Sequence, residues 1–267
     1  SSVKSETELR EFKDGRLQIG IDGLLPTAET RDGLGFKAGD SRAAENPLLS
    51  SLQTLWAREH NRIAKEIQTK QPSLDDEGIY RRARSKVIAL IQHITYDEFL
   101  PALLGKNTLN NYSGHDKTAN AQVSTEFATA AFRFGHSMIS ETLARKNADG
   151  SDFSNTPLAL KDAFFNIAHI QQSGIEVFLK GASTQRAQEI DTQYTNTLRN
   201  FLFNEPPAGS KCPMRGILRF MNGAFPGLDL ASRNIQRGRD HGIADYNTVR
   251  ESLGLKRRAS FEEITAD

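Results

Sequence analysis

"AFRFGHSMIS" (131–140) decides how the chain is read. Its apolar content is that of a packed helix, yet it carries Arg133 and His136, which a dry core does not accept without partners. Three residues apart, the two project in nearly the same direction on a helix. Extended outward, the apolar period predicts a helix from about Val123 to Leu143. One stripe holds Val123, Phe127, Ala130, Phe134 and Met138. A second holds Ala128, Phe132, Arg133, His136, Ile139 and Leu143. Apolar residues in both stripes predict burial nearly all round. Either His136 is a core histidine satisfied by a neighbour, or it is the ligand of something large around which the chain wraps.

The flanking sequence is organised in the same period. "LLSSLQTLWAREHNRIAKEI" (48–67) aligns Leu52, Trp56, Ile63 and Ile67 on one helical face. His60 shares that face and reads as a core histidine holding a backbone carbonyl. In "EGIYRRARSKVIALIQHITYDEFLPALLG" (77–105) the stripe runs through Tyr80, Ala83, Val87, Leu90, Ile91 and Ile94, with Pro101 and Gly105 punctuating the end. Residues 18–41 show no sustained period and read as an extended loop. "KNADGSDFSN" (146–155) is turn chemistry; Asp149 and Asp152 do not have the spacing of a calcium loop. Helices are predicted through 157–180 and 184–204, then a Gly/Pro-rich stretch at 205–228 and the polar block "LASRNIQRGRDHGIADYN" (230–247). Strand alternation is nearly absent, so the fold class is mainly α.

Composition excludes several functions. Lys plus Arg number 34 and Asp plus Glu 33, so no global charge points to nucleic acid or to a membrane surface. The basic run "RRARSK" (81–86) reads as a solvated helix face. One cysteine, Cys212, rules out an intrachain disulfide framework and a Cys-rich metal cluster. No apolar run approaches the roughly 20 residues of a spanning helix. The chain opens on "SSVKSE", without methionine, and is expected to be a processed product or a fragment.

Dinucleotide, Walker, zincin and serine-hydrolase motifs are all absent. The six histidines, at 60, 93, 115, 136, 169 and 241, form no pair at metal-ligand spacing. A lone histidine ligand therefore needs a cofactor that brings the remaining ligands. Haem does so, with four porphyrin nitrogens and one axial imidazole from the protein.

Four blocks occur in order: "FKAGDSRAAEN" (36–46), "LWAREHNRIAKEI" (55–67), "FRFGHSMI" (132–139) and "NIQRGRDHGIADYN" (234–247). Together they resemble the animal-type haem peroxidases of the peroxidase–cyclooxygenase superfamily. "ITYDEFLPALLG" and "PLALKDAFFN" extend the likeness over almost the whole chain. The resemblance implies a single haem-peroxidase domain over 1–267 with a mainly helical fold, incomplete at both ends. It implies that His136 is the axial ligand to the iron of haem b and that Asn234 accepts a hydrogen bond from the other imidazole nitrogen. Arg42 matches the distal arginine, a catalytic group that stabilises charge developing on the departing peroxide oxygen. Glu45 matches a glutamate that esterifies a haem methyl. Arg133 and Arg237 match arginines near the propionates. Asp240 and His241 are assigned only local pairing.

Departures from the family pattern sharpen these expectations. No "DHD" motif is present, so the distal histidine segment, and the calcium loop that accompanies it in the intact domain, are expected outside this chain, as are the C-terminal helices. Asn46 stands where one branch of the family has a sulfonium-forming methionine, so that link is not expected. Arg133 stands where the cyclooxygenases and fatty-acid dioxygenases place their radical tyrosine, which argues against lipid dioxygenation. The function implied is oxidation of halide, thiocyanate or small organic donors by hydrogen peroxide, in an exported protein. The alternative is a truncated, catalytically incompetent haem-binding or scaffold fragment of such an enzyme.

Overall fold

The computed structural model describes residues 8–30, 33–203 and 228–265; Cys212 and nearly all of the Gly/Pro-rich stretch lie outside them. In chain order the named elements begin with strands β1 (Thr27–Thr30) and β2 (Gly33–Phe36), a 3-10 turn (Ser41–Ala44), and helices α1 (Pro47–Lys70) and α2 (Asp76–His93). A π-helical segment (Ile94–Phe99), α3 (Leu100–Leu104), α4 (Thr125–Thr129) and a 3-10 helix (Ala131–His136) follow. Strands β3 (Thr142–Leu143) and β4 (Leu158–Ala159) precede α5 (Leu160–Ala163), α6 (Ala168–Ser173), α7 (Glu176–Ala182), α8 (Asn196–Asn200), α9 (Leu230–Asp240) and α10 (Tyr246–Ser252). The fold is mainly helical, as expected. β1 and β2 pair antiparallel inside the stretch read as loop; with four residues each, and glycine at two positions of β2, they are too short to show alternation.

The long helices α1 and α2 form a hairpin whose starts are written in the sequence. Asn46 caps α1, its Oδ1 accepting from the Leu49 N–H at 3.0 Å, and Pro47 takes the first helical position. Asp75 caps α2. The two pack through Ile63, Ala64 and Ile67 against Ile79 and Ala83. Both alanines are fully buried, which lets the backbones approach. Pro101 does not stop the second helix. It lacks the N–H that would bond the Asp97 carbonyl, and the chain shifts into π register over 94–99 and continues until Gly105, at φ 97°, ends it.

Of the predicted α2 stripe only Tyr80 and Ala83 are buried, with Ile79 beside them; Leu90, Ile91 and Ile94 are each about 40% exposed. Toward that end a cleft of about 320 Å³ opens between Gln53, Trp56 and Ala57 of α1 and Arg84, Val87 and Ile88 of α2. The rod from Asp76 to Leu104 is long and apolar enough to cross a bilayer, with a mean hydropathy of 1.2 in its most apolar window. Its first turns nevertheless carry Arg81, Arg82 and Arg84 and pack on α1.

Polar side chains of α1 and α2 hold the N-terminal segment. His60 is the core histidine expected: its Nε2 lies 2.9 Å from the Gly15 carbonyl oxygen. Asn61 brackets Leu17, accepting from its N–H at 2.8 Å and donating to its oxygen at 2.9 Å. Arg58 donates to the Gly23 oxygen at 2.7 Å and pairs with Glu176. Arg10, buried, pairs with Asp76 and Glu77 and lies 3.9 Å over the Tyr80 ring. The block "LWAREHNRIAKEI" is thus a set of clamps.

The continuous helix predicted over 123–143 is broken. α4 ends at Ala130 (φ −125°, ψ −66°), the chain resumes as a 3-10 turn through His136, and β3 follows. A helix of this length is stabilised by packing one face, and Val123, Phe127 and Phe132 are 46–66% exposed. Gly135 weakens the helix further. The helices predicted at 157–180 and 184–204 reduce to α5 through α8. Gly174, at φ 77°, caps α6, and the polar run 184–195 supplies no apolar face. Two clusters organise this half. Leu24, Phe36, Ala57, Ile167, Ile170 and Phe178 join β2, α1, α6 and α7, while Leu160, Phe164, Leu198 and Leu202 pack beneath the site with Tyr194 and Leu230 against them.

Candidate functional site

A cavity of about 790 Å³ lies above the Leu160–Leu198 cluster, within the roughly 300–1,000 Å³ of cofactor-sized sites. Arg42, Glu45, Arg133, His136, Asn234 and Arg237 all line it. All six residues singled out in the sequence therefore come together, from three separated regions of the chain. Arg186 and Arg233 line it as well, and neither was anticipated; Arg233 adjoins Asn234, whereas Arg186 lies in a run with no motif. Apolar walls come from Leu49, Leu52, Met138, Ile139, Leu160 and Leu198.

The centre is a contact across 98 positions. Asn234 Nδ2 lies 2.8 Å from His136 Nδ1 and 3.1 Å from the Tyr194 hydroxyl oxygen, so one end of the amide meets both groups. The Tyr194 ring meets the imidazole edge-on, with centroids 6.2 Å apart. Helix α9, capped by Asp229, carries Asn234 and Arg237 one turn apart on one face. His136 Nε2 has no partner among the described residues. Burial pushes the His136 pKa below 6.5, and the Arg133 charge pushes in the same direction, so the neutral imidazole that ligates metals is favoured.

The charged residues differ in their freedom. Arg133 Nε is buried without a hydrogen-bond partner, and a guanidinium in that state is a ready donor to an incoming carboxylate. Arg42 lies at the rim, its side chain 74% exposed, with Nε and Nη2 held by the two carboxylate oxygens of Asp40 at 3.0 and 2.6 Å. That pair holds Asp40 well below the usual carboxylate range. Arg42 Nη1 has no hydrogen-bond partner among the described residues. Glu45 is half-buried, and desolvation raises its pKa against the opposing pull of Arg42. Arg237 is exposed, and its carbonyl accepts from the His241 backbone N–H and lies 2.9 Å from His241 Nδ1. Asp240 accepts from Gln236 at 2.7 Å, so both residues of the "RDHG" motif make local pairs.

This donor set fits haem. One imidazole offers a free nitrogen, the walls are apolar as a porphyrin face requires, and unpaired guanidinium groups stand where carboxylates can dock. Elsewhere among the described residues no three metal-ligating side chains converge. Asn147 and Asp149 bond within their own turn.

A mainly helical frame with a histidine, a neighbouring amide and arginines around one cavity has the donor set of a haem-binding domain. A family model described as animal haem peroxidase matches residues 1–267. Peroxinectin A of Dictyostelium discoideum is 40% identical over 232 residues, covering 87% of this chain and 40% of that protein. A human peroxidasin homolog is 39% identical over 86% of this chain and 15% of its own length. Among solved structures, peroxidase A from Dictyostelium discoideum superposes with a TM-score of 0.83 at 36% identity, covering 98% of this chain and 50% of that one. A fatty acid alpha-dioxygenase of Oryza sativa shares the fold at a TM-score of 0.77 and 22% identity, over 100% of this chain and 47% of that one. The chain belongs to the animal haem peroxidase family. It spans less than half the length of these curated relatives.

Proposed function

We propose that this chain is the iron-holding part of a haem peroxidase that uses hydrogen peroxide to oxidise halide, thiocyanate or small organic donors. The observation that carries the reading is the His136–Asn234 contact at the wall of a cavity edged with arginines. Haem, when bound, supplies the redox-active iron at which peroxide is reduced. His136 holds that iron through Nε2, which requires its proton on Nδ1. Asn234 then presents Oδ1 and accepts from Nδ1–H, because the two ends of a carboxamide are nearly isosteric and the protonated nitrogen selects the oxygen. A neutral amide draws less on that proton than a carboxylate would, so the imidazole stays neutral rather than anionic. Arg133 and Arg237 would receive the propionates, Glu45 would hold a ring edge as an ester formed by oxidation of a haem methyl at the expense of hydrogen peroxide, and Arg42 would stabilise charge on the departing oxygen. Calcium in the intact domain and an extracellular location complete the proposal on family membership.

The test is a haem titration of the 267-residue chain. A Soret band saturating at one haem per chain is expected, and its persistence unchanged in His136→Ala refutes the assignment. A second reading rests on a specific observation: of the six histidines only His136 lines the cavity, so no imidazole base faces it. Acid–base help is worth roughly 10²–10⁴-fold, so the loaded chain by itself is expected to reduce peroxide slower than an intact peroxidase by that factor. Equal rates exclude this reading.

A further inference from the structure

The Asn234 amide meets two groups at once, and the protonation of each is constrained by the other. An amide oxygen only accepts, an amide nitrogen only donates, and a tyrosine hydroxyl does either. The imidazole and the hydroxyl can each adapt to either orientation of the amide, but a phenol is a stronger donor than acceptor, so Tyr194 favours the amide oxygen facing it. With the His136 proton on Nδ1, the oxygen of Asn234 faces the ring, and the hydroxyl 3.1 Å from the same amide position must then donate. Nothing in the sequence "QEIDTQYTN" points to such a role.

Tyr194 is held firmly enough for this. The Glu141 carboxylate accepts from both the Thr197 N–H, at 3.1 Å, and the Thr197 hydroxyl, at 2.7 Å, tying the start of α8 to the strand that follows His136. The Gln188 N–H donates to the Met138 oxygen at 2.9 Å, and Gln185 brackets the chain at Thr142 and Ala144. The segment carrying Tyr194 is thereby anchored to the segment carrying His136 on both sides of the tyrosine. Its ring packs on the Leu160–Leu198 cluster and against the imidazole edge.

We propose that Tyr194 is a positioning residue: its hydroxyl donates to Asn234 Oδ1, fixing which end of the amide meets His136 and hence which imidazole nitrogen is left free. The inference rests on the reading of His136 as iron ligand, but it makes a separate claim about the protein without haem. Tyr194 biases the amide and the His136 tautomer before haem binds. Once haem is bound, the second hydrogen bond to Oδ1 drains electron density from the acceptor and weakens its pull on Nδ1–H, keeping the imidazole less anionic.

Two variants test this in the full chain. Tyr194→Phe removes only the hydroxyl. Site-specific 3-fluorotyrosine at position 194 retains the hydroxyl and strengthens it as a donor. The first readout is the pair of His136 ring nitrogen-15 shifts without haem. In Tyr194→Phe the Nδ1–H to Nε2–H ratio is expected to fall, by less than the roughly fivefold worth of a whole hydrogen bond because the hydroxyl bonds the amide in either orientation, and in the fluorinated protein to rise. The second readout is the iron–histidine stretching frequency of the ferrous haem-loaded protein, expected to increase in Tyr194→Phe and to decrease with fluorination. Unchanged tautomer ratios in the folded variants overturn the proposal. If Tyr194→Phe does not fold, the fluorinated protein decides by itself. If His136→Ala binds haem normally, the ligand reading fails, while the nitrogen shifts still report on Tyr194.

Discussion

Replacing Asn234 by alanine is expected to weaken haem binding 10- to 100-fold while leaving the chain folded. In the native site the His136 ring is half-buried, and its only side-chain hydrogen-bond partner among the described residues is the Asn234 amide, at 2.8 Å. Losing that contact removes one neutral hydrogen bond, worth about 1 kcal/mol net, and leaves a partly buried Nδ1–H with no acceptor, at about 1–3 kcal/mol. The two are alternative descriptions of one loss, so a total of about 1.5–3 kcal/mol is appropriate. At 1.4 kcal/mol per decade this is the range above, and it matches the cost usual for removing the partner of a metal-bound histidine. α9 itself should survive, since Asn234 is not its cap and alanine is the better helix former. The assay is equilibrium haem titration of wild type, Asn234→Ala and His136→Ala, followed at the Soret band, with urea midpoints to confirm folding. A Kd for Asn234→Ala within twofold of wild type refutes the reasoning, because the amide would then do nothing for the imidazole. A Kd equal to that of His136→Ala also refutes it, since orientation is then the whole of ligation.

Three further outcomes concern the frame around the site. His60 is buried at 3% exposure with its pKa lowered from 6.5, chiefly by desolvation; its unfolded form takes up a proton near pH 6.5 while the native form resists to lower pH. Stability therefore rises with pH through that window: the wild-type urea midpoint should fall from pH 7.5 to 5.5, and a slope no shallower in His60→Gln would refute this. Asn61→Ala removes both hydrogen bonds to Leu17 and is expected to cost about 2 kcal/mol in urea unfolding, a loss under 0.5 kcal/mol being the contrary result. Gly181→Ala would set a Cβ 1.9 Å from the Ala144 carbonyl oxygen, so α7 and β3 must separate; a loss of about 1–3 kcal/mol or more is expected in thermal unfolding, and an unchanged Tm would show that the close approach is not required.

What the sequence discloses follows from what each feature depends on. α1 and α2 are legible as helices because their apolar period is local, although Leu52, Leu90, Ile91 and Ile94 of the predicted stripes are 39–40% exposed. His60 is legible because a histidine on an apolar face has few other uses. The interruption of 123–143 is not, since the period there is helical and only the exposure of Val123, Phe127 and Phe132 shows that nothing stabilises a continuous rod. The six residues of the proposed site come from ordered motifs, whereas Tyr194 and Arg186 do not. Both sit in a polar run with no period; Tyr194 meets Asn234 across 40 positions and Arg186 lines the cavity.

The charge balance of the cavity explains why the site is built from so many arginines. Arg42, Arg133, Arg186, Arg233 and Arg237 face one carboxylate, Glu45, among the described lining residues. Burial raises the Glu45 pKa, which further reduces the negative charge available to offset them. Such a pocket suits a group that is anionic, largely apolar and able to use one free imidazole nitrogen. A haem with two propionates meets all three conditions, whereas a halide or a small phosphate meets only the first. Arg42, proposed to act on peroxide, is paired with Asp40 at the exposed rim, whereas Arg133, with a buried unpaired nitrogen, lies three residues from the proposed iron ligand. Holding the cofactor and working on its substrate are therefore unequally prepared in the proposed site: His136 already has its partner Asn234, while the guanidinium of Arg42 is largely engaged by a surface carboxylate.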